Sequence, residues 1–205
     1  MKTIVKNDIY CQMSDSVHDI TGAYPPISDV KFAYNAIINL FINTWMDGGL
    51  IYIKNYGRLY PLWKPGGRPV RNPRTGEGKA MHDVVNIRVA TRTSNGTRKC
   101  SHRLTQAGMV DALKKHGFTK ETASLYVGAI LHMLRLTKNG KYRIELRGFA
   151  VFEAVYRAEV ARHNPATGEK IVIGPHYAPK ITVSKKQVRR ITNAFKQRKL
   201  AHHNS

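Results

Sequence analysis

Apolar positions along the chain predict two helices followed by strands, and then the same order again. Ile9, Met13 and Val17 stand four residues apart and predict a short first helix with Cys11 on its apolar side. Beyond the Pro25-Pro26 loop, Ser28 is expected to cap a second helix, whose Ala33, Ile37, Phe41 and Trp45 recur at i, i+4. Leu50 to Lys54 and Arg58 to Trp63 have strand character. Farther on, Thr105 to His116 carries Met109, Ala112 and Leu113 on one stripe, with Gly117 placed to stop the helix. Thr119 can cap the next helix, along which Leu125, Ala129, Met133 and Leu136 recur. Asn139-Gly140 turns the chain into strands at Tyr142–Leu146 and Phe149–Tyr156. Ser184 then opens a last helix with Val188, Ile191 and Phe195 as its apolar stripe, and the tail Ala201–Ser205 reads as disordered.

The punctuation repeats with the pattern. Residues 72–77 read Asn-Pro-Arg-Thr-Gly-Glu and residues 164–169 read Asn-Pro-Ala-Thr-Gly-Glu, 92 positions apart. Gly48-Gly49 falls opposite Asn139-Gly140, and Gly57 opposite Gly148, each at an offset of 91. The unit is helix, helix, hairpin, long arm, strand, and it occurs twice. The first copy runs into Thr91-Arg92-Thr93-Ser94-Asn95-Gly96-Thr97, a linker composition, so its third helix is expected to be lost. This divides the chain into a reduced unit at 1–92, a linker at 93–102 and a full unit at 103–205.

Charge narrows the chemistry. The 205 residues hold 34 Lys+Arg against 13 Asp+Glu, a formal net charge of +21. Such an excess points to a polyanion, because neutralised phosphates release counterions and drive binding whatever the sequence. The halves differ: residues 1–97 net +5 and residues 98–205 net +16. A mean hydropathy of −0.39 argues against a membrane protein. The N-terminal eight residues carry charge and no secretory apolar core. Two cysteines, Cys11 and Cys100, make no disulfide framework, and a reduced setting is expected.

In the second copy, Ile144-Glu145-Leu146-Arg147-Gly148-Phe149-Ala150-Val151-Phe152-Glu153 resembles the Gly-Phe-Gly-x-Phe hairpin of the bacterial histone-like HU and integration host factor (IHF) family, with Ala150 in place of the second glycine. Arg162-His163-Asn164-Pro165-Ala166-Thr167-Gly168-Glu169 resembles the tip of that family's DNA-gripping arm. The first copy repeats the arm tip in full as Arg71-Asn72-Pro73-Arg74-Thr75-Gly76-Glu77, but its hairpin, Tyr56-Gly57-Arg58-Leu59, is degenerate. The resemblance implies an α+β fold: two HU/IHF-like units paired as an intramolecular pseudo-dimer, with a helical body, a β-saddle and two protruding β-arms. Further self-association stays open.

The resemblance also implies the partner, double-stranded DNA, bent or compacted through the minor groove with little sequence specificity. Pro73 and Pro165 are the expected intercalating wedges, while Asn72, Asn164 and His163 stand at the same tips. Arg68, Arg71, Arg74 and Lys79 surround the first tip, and Arg157, Arg162 and Lys170 the second. A second basic surface comprises Lys180, Lys185, Lys186, Arg189 and Arg190, suited to phosphate. A site-preferring cofactor for recombination, replication or transcription is an alternative, as is an RNA-binding assembly protein. Action in the cytoplasm, on the nucleoid or on viral DNA, is expected. Neither a phosphate-cradling glycine loop nor metal-ligand spacing is present, and His82-Asp83 lacks a nucleophile, so neither catalysis nor a cofactor is expected. Trp45 and Met133 read as core.

Overall fold

The computed structural model describes residues 1–67, 69–71, 74, 76, 78–80, 82–90, 100–163 and 168–203, with 69–71, 78–80 and 202–203 described by their backbone. The first half begins with strand β1 (Lys2–Val5) and helices α1 (Lys6–Thr21) and α2 (Ile27–Met46). Strands β2 (Leu50–Ile53), β3 (Gly57–Lys64), β4 (Pro69–Arg71), β5 (Gly78–Ala80) and β6 (Val84–Ala90) follow. The second half repeats that order: β7 (Arg103–Leu104), α3 (Gln106–Lys114), α4 (Lys120–Leu136) and a 3-10 turn (Thr137–Asn139), then β8 (Tyr142–Leu146), β9 (Ala150–Arg157), β10 (Val160–His163), β11 (Lys170–Ile173) and β12 (His176–Val183). It then adds α5 (Lys185–His203). Among the described residues no helix lies between β6 and β7.

The helices follow the apolar pattern and their caps. Ile9, Met13 and Val17 are buried along α1, and Val30, Ala33, Ile37, Phe41 and Trp45 along α2. Thr105 and Thr119 cap α3 and α4 by accepting from the backbone N–H groups of Gly108 and Thr122. Three expectations fail. Ser28 is not a cap: α2 starts after Pro26, whose fixed φ suits a helix entrance, and the Ser28 hydroxyl donates to Asp29 instead. Cys11 is exposed, because Ile9, Tyr10 and Met13 already fill the buried stripe. The helix of the tail continues through His203, past the expected start of disorder at Ala201.

Each half completes the other's sheet. The two four-stranded sheets run β1-β8-β9-β12 and β6-β3-β2-β7. β1, at the start of the first half, lies parallel to β8 with Ile4 opposite Ile144. β7, at the start of the second half, lies parallel to β2 with Leu104 opposite Ile51. Helices interleave in the same way, α1 packing on α4 and α2 on α3. One cluster of buried apolar side chains draws on both halves. At its centre the Phe149 ring stacks on Trp45, centroids 5.7 Å apart and planes 9° off parallel.

The hairpins correct the expected alignment of the copies. Ile53 pairs with Gly57 and Ile51 with Leu59, just as Leu146 pairs with Ala150 and Ile144 with Phe152. Asn55 (φ 65°) therefore corresponds to Gly148 (φ 77°), Tyr56 to Phe149 and Gly57 to Ala150, at an offset of 93. Gly57 is not the counterpart of Gly148. Asparagine is among the few residues that tolerate the left-handed turn position, so a glycine is not required there. Tyr56 and Phe149, the turn residues, are both buried.

The last helix leaves its own half. Ser184 and Gln187 donate to the Gly148 carbonyl of the second half. α5 then packs against α2 and β6 of the first. There Phe195 stacks on Trp63 at 6.1 Å, and the buried Thr192 hydroxyl oxygen accepts from the Val85 N–H at 3.1 Å. Thr192→Val keeps the side-chain shape and strands that donor. It is expected to cost about 1–3 kcal/mol, read as a lowered urea midpoint at unchanged slope.

Candidate nucleic-acid interface

Strand alternation sorts each sheet into a buried and an open face. In the first half the buried positions are Leu59 on β3 and Val85 and Ile87 on β6. The intervening positions face outward: Arg58, Tyr60, Leu62 and Lys64 pair with Ala90, Arg88, Asn86 and Val84. β7 adds Arg103, whose guanidinium lies 4.1 Å from the centroid of the Tyr52 ring on β2. This face therefore carries Arg58, Lys64, Arg88 and Arg103 with no acid among its described residues. Sequence reading missed all four. The alternation from Arg58 to Lys64 is the signal that could have found two of them.

In the second half the open positions include Arg143, Arg157 and Lys180, but also Glu145 and Glu153. Lys180, an expected phosphate contact, forms an ion pair with Glu153 at 3.2 Å across the strands. The half with the larger sequence charge thus has the less cationic sheet face. Its excess lies elsewhere, with seven cations and no acid on α5. The two sheets meet along β6 and β12. Between them lies a groove of about 520 Å³, whose lining includes Asn86, Arg88, Arg157, Lys180, Thr182 and Val188 of α5.

Two antiparallel ribbons extend these strands: β4 with β5, and β10 with β11. In the second, Arg162 pairs with Ile171 and His163 with Lys170, and all four are exposed. In the first, Arg71 pairs with Gly78 and Val70 with Lys79. Gly76 (φ 70°) and Gly168 (φ 72°), 92 positions apart, take the same left-handed conformation at the ribbon ends. Arg74 is exposed beside the first. Arg68, Asn72, Pro73, Asn164 and Pro165 lie outside the described residues.

The root of the first ribbon is braced. Asp83 accepts from the Gly66 N–H at 2.6 Å and lies 3.8 Å from the Lys196 ammonium of α5, while Lys199 sits over the Trp63 ring at 4.4 Å. Asp83 is therefore structural in its contacts. On the far side of α5, Lys185, Lys186, Arg189 and Arg190 are all exposed. Arg190 donates to the Gln187 side chain. Arg198 faces the body instead, over the Phe195 ring, and burial pushes its pKa below the usual guanidinium value. Among the described residues no three His, Cys, Asp or Glu side chains are placed to hold a metal, and no helix is long and apolar enough to cross a membrane.

Comparison with known proteins fixes the family. The profile of the family described as "Bacterial DNA-binding protein" matches residues 104–195. The beta subunit of integration host factor from Nitrosomonas europaea is 35% identical over 78 residues, 38% of this chain and 74% of that protein. The beta subunit from Buchnera aphidicola is 37% identical over 68 residues, 33% of this chain and 70% of that protein. A solved HU–DNA cocrystal structure from Anabaena matches at 28% identity over 39% of this chain and 88% of the other, with a TM-score of 0.35, too loose a superposition to argue from. The chain belongs to the HU/IHF family of bacterial DNA-binding proteins, a non-enzymatic architectural family, and carries the family match in its second half.

Proposed function

We propose that this chain binds and bends double-stranded DNA as a single-chain pseudo-dimer, its first half acting as a degenerate second copy of the family unit. The observation that carries the reading is the doubling itself. Both halves present a sheet face and a two-stranded ribbon, and both ribbons end in Asn-Pro-x-Thr-Gly-Glu with a left-handed glycine at the same offset. Exchange of β1 and β7 and the shared core are what a dimer folded within one chain requires. In this reading the duplex lies along the open sheet faces, phosphates meet Arg58, Arg88, Arg103 and the exposed face of α5, and the ribbons act as arms in the minor groove. Pro73 and Pro165, each without an N–H to satisfy, wedge between base steps and kink the duplex by ~20–90°. The protein then acts wherever such DNA is packed, in a nucleoid or with viral DNA.

Replacing both prolines with alanine tests the wedge. Bending, read by fluorescence transfer between the ends of a short duplex, is expected to fall more than affinity does. Unchanged bending in the double variant would remove the wedge from the mechanism.

The unequal sheet faces favour a second reading, a protein that prefers certain sites. Four unopposed cations on one side and an acid-tempered set on the other give the complex a direction along DNA, which sequence-dependent shape can select. Selection from a random duplex pool separates the two: an enriched motif supports site preference, and a flat pool supports general compaction.

A further inference from the structure

Between Phe32 and Asn43 the outer side of α2 carries no charged residue, with Asp29 and Lys31 standing at its N-terminal end. Phe32, Ala36 and Leu40 form one i, i+4 row, and Asn35, Asn39 and Asn43 form the adjacent row. The three asparagines are exposed, and Phe32 stands 48% exposed. Two shallow grooves flank it. One, about 300 Å³, runs along the Asn35–Asn43 side up to His116, and the other, about 320 Å³, lies between Asp29, His116 and Phe118. Phe32 meets His116 edge-on at 5.2 Å.

We propose that this face docks a second copy of the same chain, α2 crossing α2 about a twofold axis near Asn39. Three observations select that occupant. An isologous contact needs a patch that complements itself. Each asparagine amide both donates and accepts, so the Asn35–Asn39–Asn43 row can bond to its own copy, as a row of fixed-sign charges cannot. Shape agrees, since a protruding Phe32 beside an empty groove lets each copy's ring fill the other's groove. Charge decides the location. Copies of a +21 chain repel wherever sheets, ribbons or α5 would meet. α1 and α2 together carry only Lys6 and Lys31 against Asp8, Asp15, Asp19 and Asp29, so these two helices bring no net positive charge to the contact, and the nearby cations are Lys114 and Lys115 at the end of α3. The face also lies apart from the open sheet faces, so a docked pair leaves both available.

The contact is independent of nucleic acid and is tested without it. Sedimentation equilibrium of the full chain across a concentration series is expected to show a monomer–dimer equilibrium. Asn39→Lys, which brings two cations together at the axis, is expected to raise the dissociation constant ~10-fold or more while leaving the urea midpoint unchanged. With Cys11 and Cys100 replaced by serine, Asn39→Cys is expected to form a disulfide-linked dimer under mild oxidation, and Lys186→Cys on α5 is not. A chain that stays monomeric at every concentration overturns the proposal. So does a dimer that survives Asn39→Lys unchanged, or one that cross-links through Lys186→Cys and not through Asn39→Cys.

Discussion

Phe149→Ala is expected to destabilise the entire chain by about 3–5 kcal/mol, a large share of the 5–15 kcal/mol that holds a typical domain together. The ring is 3% exposed and touches both halves. It stacks on Trp45 of α2, meets Phe41 at 6.3 Å and leans on Phe152 of its own sheet at 6.2 Å. Truncation removes the transfer free energy of the ring and leaves a cavity whose walls are themselves rigid aromatics. Because α1 packs on α4 and α5 on the first half, the loss cannot stay local. Urea denaturation followed by tryptophan fluorescence and by far-UV circular dichroism should show one transition in both proteins, with the variant's midpoint much lower. A loss below about 1 kcal/mol, or two separated transitions in the parent chain, would contradict a core shared between the halves.

Raising salt is expected to weaken duplex binding steeply. If ~6–10 phosphates are contacted, affinity drops ~10³–10⁵-fold between ~50 and ~200 mM monovalent salt, since each neutralised phosphate returns its condensed counterion on release. Four unopposed cations on the first sheet face and the four on the far side of α5 are enough to supply such a number. Fluorescence anisotropy at several salt concentrations gives the slope directly. A flat response would mean that the +21 charge does not govern binding. Arg88→Ala is the informative companion variant: it should lower the slope by about one contact and leave sequence preference alone.

Much of this architecture was legible before any coordinates. Period-four stripes such as Ala33, Ile37, Phe41 and Trp45 mark helices because burial of one face dominates their stability, and all four are buried. Thr105 and Thr119 were recognisable as caps because a hydroxyl beside free N–H groups has a local role. What was hidden depends on distant partners. β1 and β7 are four and two residues long, too short for a periodicity, and exist only because the opposite half offers an edge. The true hairpin alignment was masked by Asn55, which does the work of a glycine without being one. The destination of α5 was equally invisible: its stripe of Ile191 and Phe195 says that a surface is covered, not that it belongs to the other half. On the candidate interface, motif and charge pointed to the ribbons and α5. They overlooked Arg58, Lys64, Arg88 and Arg103, and credited Lys180 without its partner Glu153.

The exchange of β1 and β7 has a consequence for how the chain is made. During synthesis the first half emerges with its N-terminal strand unpaired, because β8 follows some 140 residues behind it. Its own sheet waits for Arg103 and Leu104, its aromatic core for Phe149, and the cover over Trp63 for Phe195. At a translation rate of about 5–20 residues per second, those contacts arrive many seconds apart. The nascent half therefore cannot finish folding on the ribosome as an independent N-terminal domain would. Both halves close together, late, in a step dominated by contacts remote in sequence and correspondingly slow.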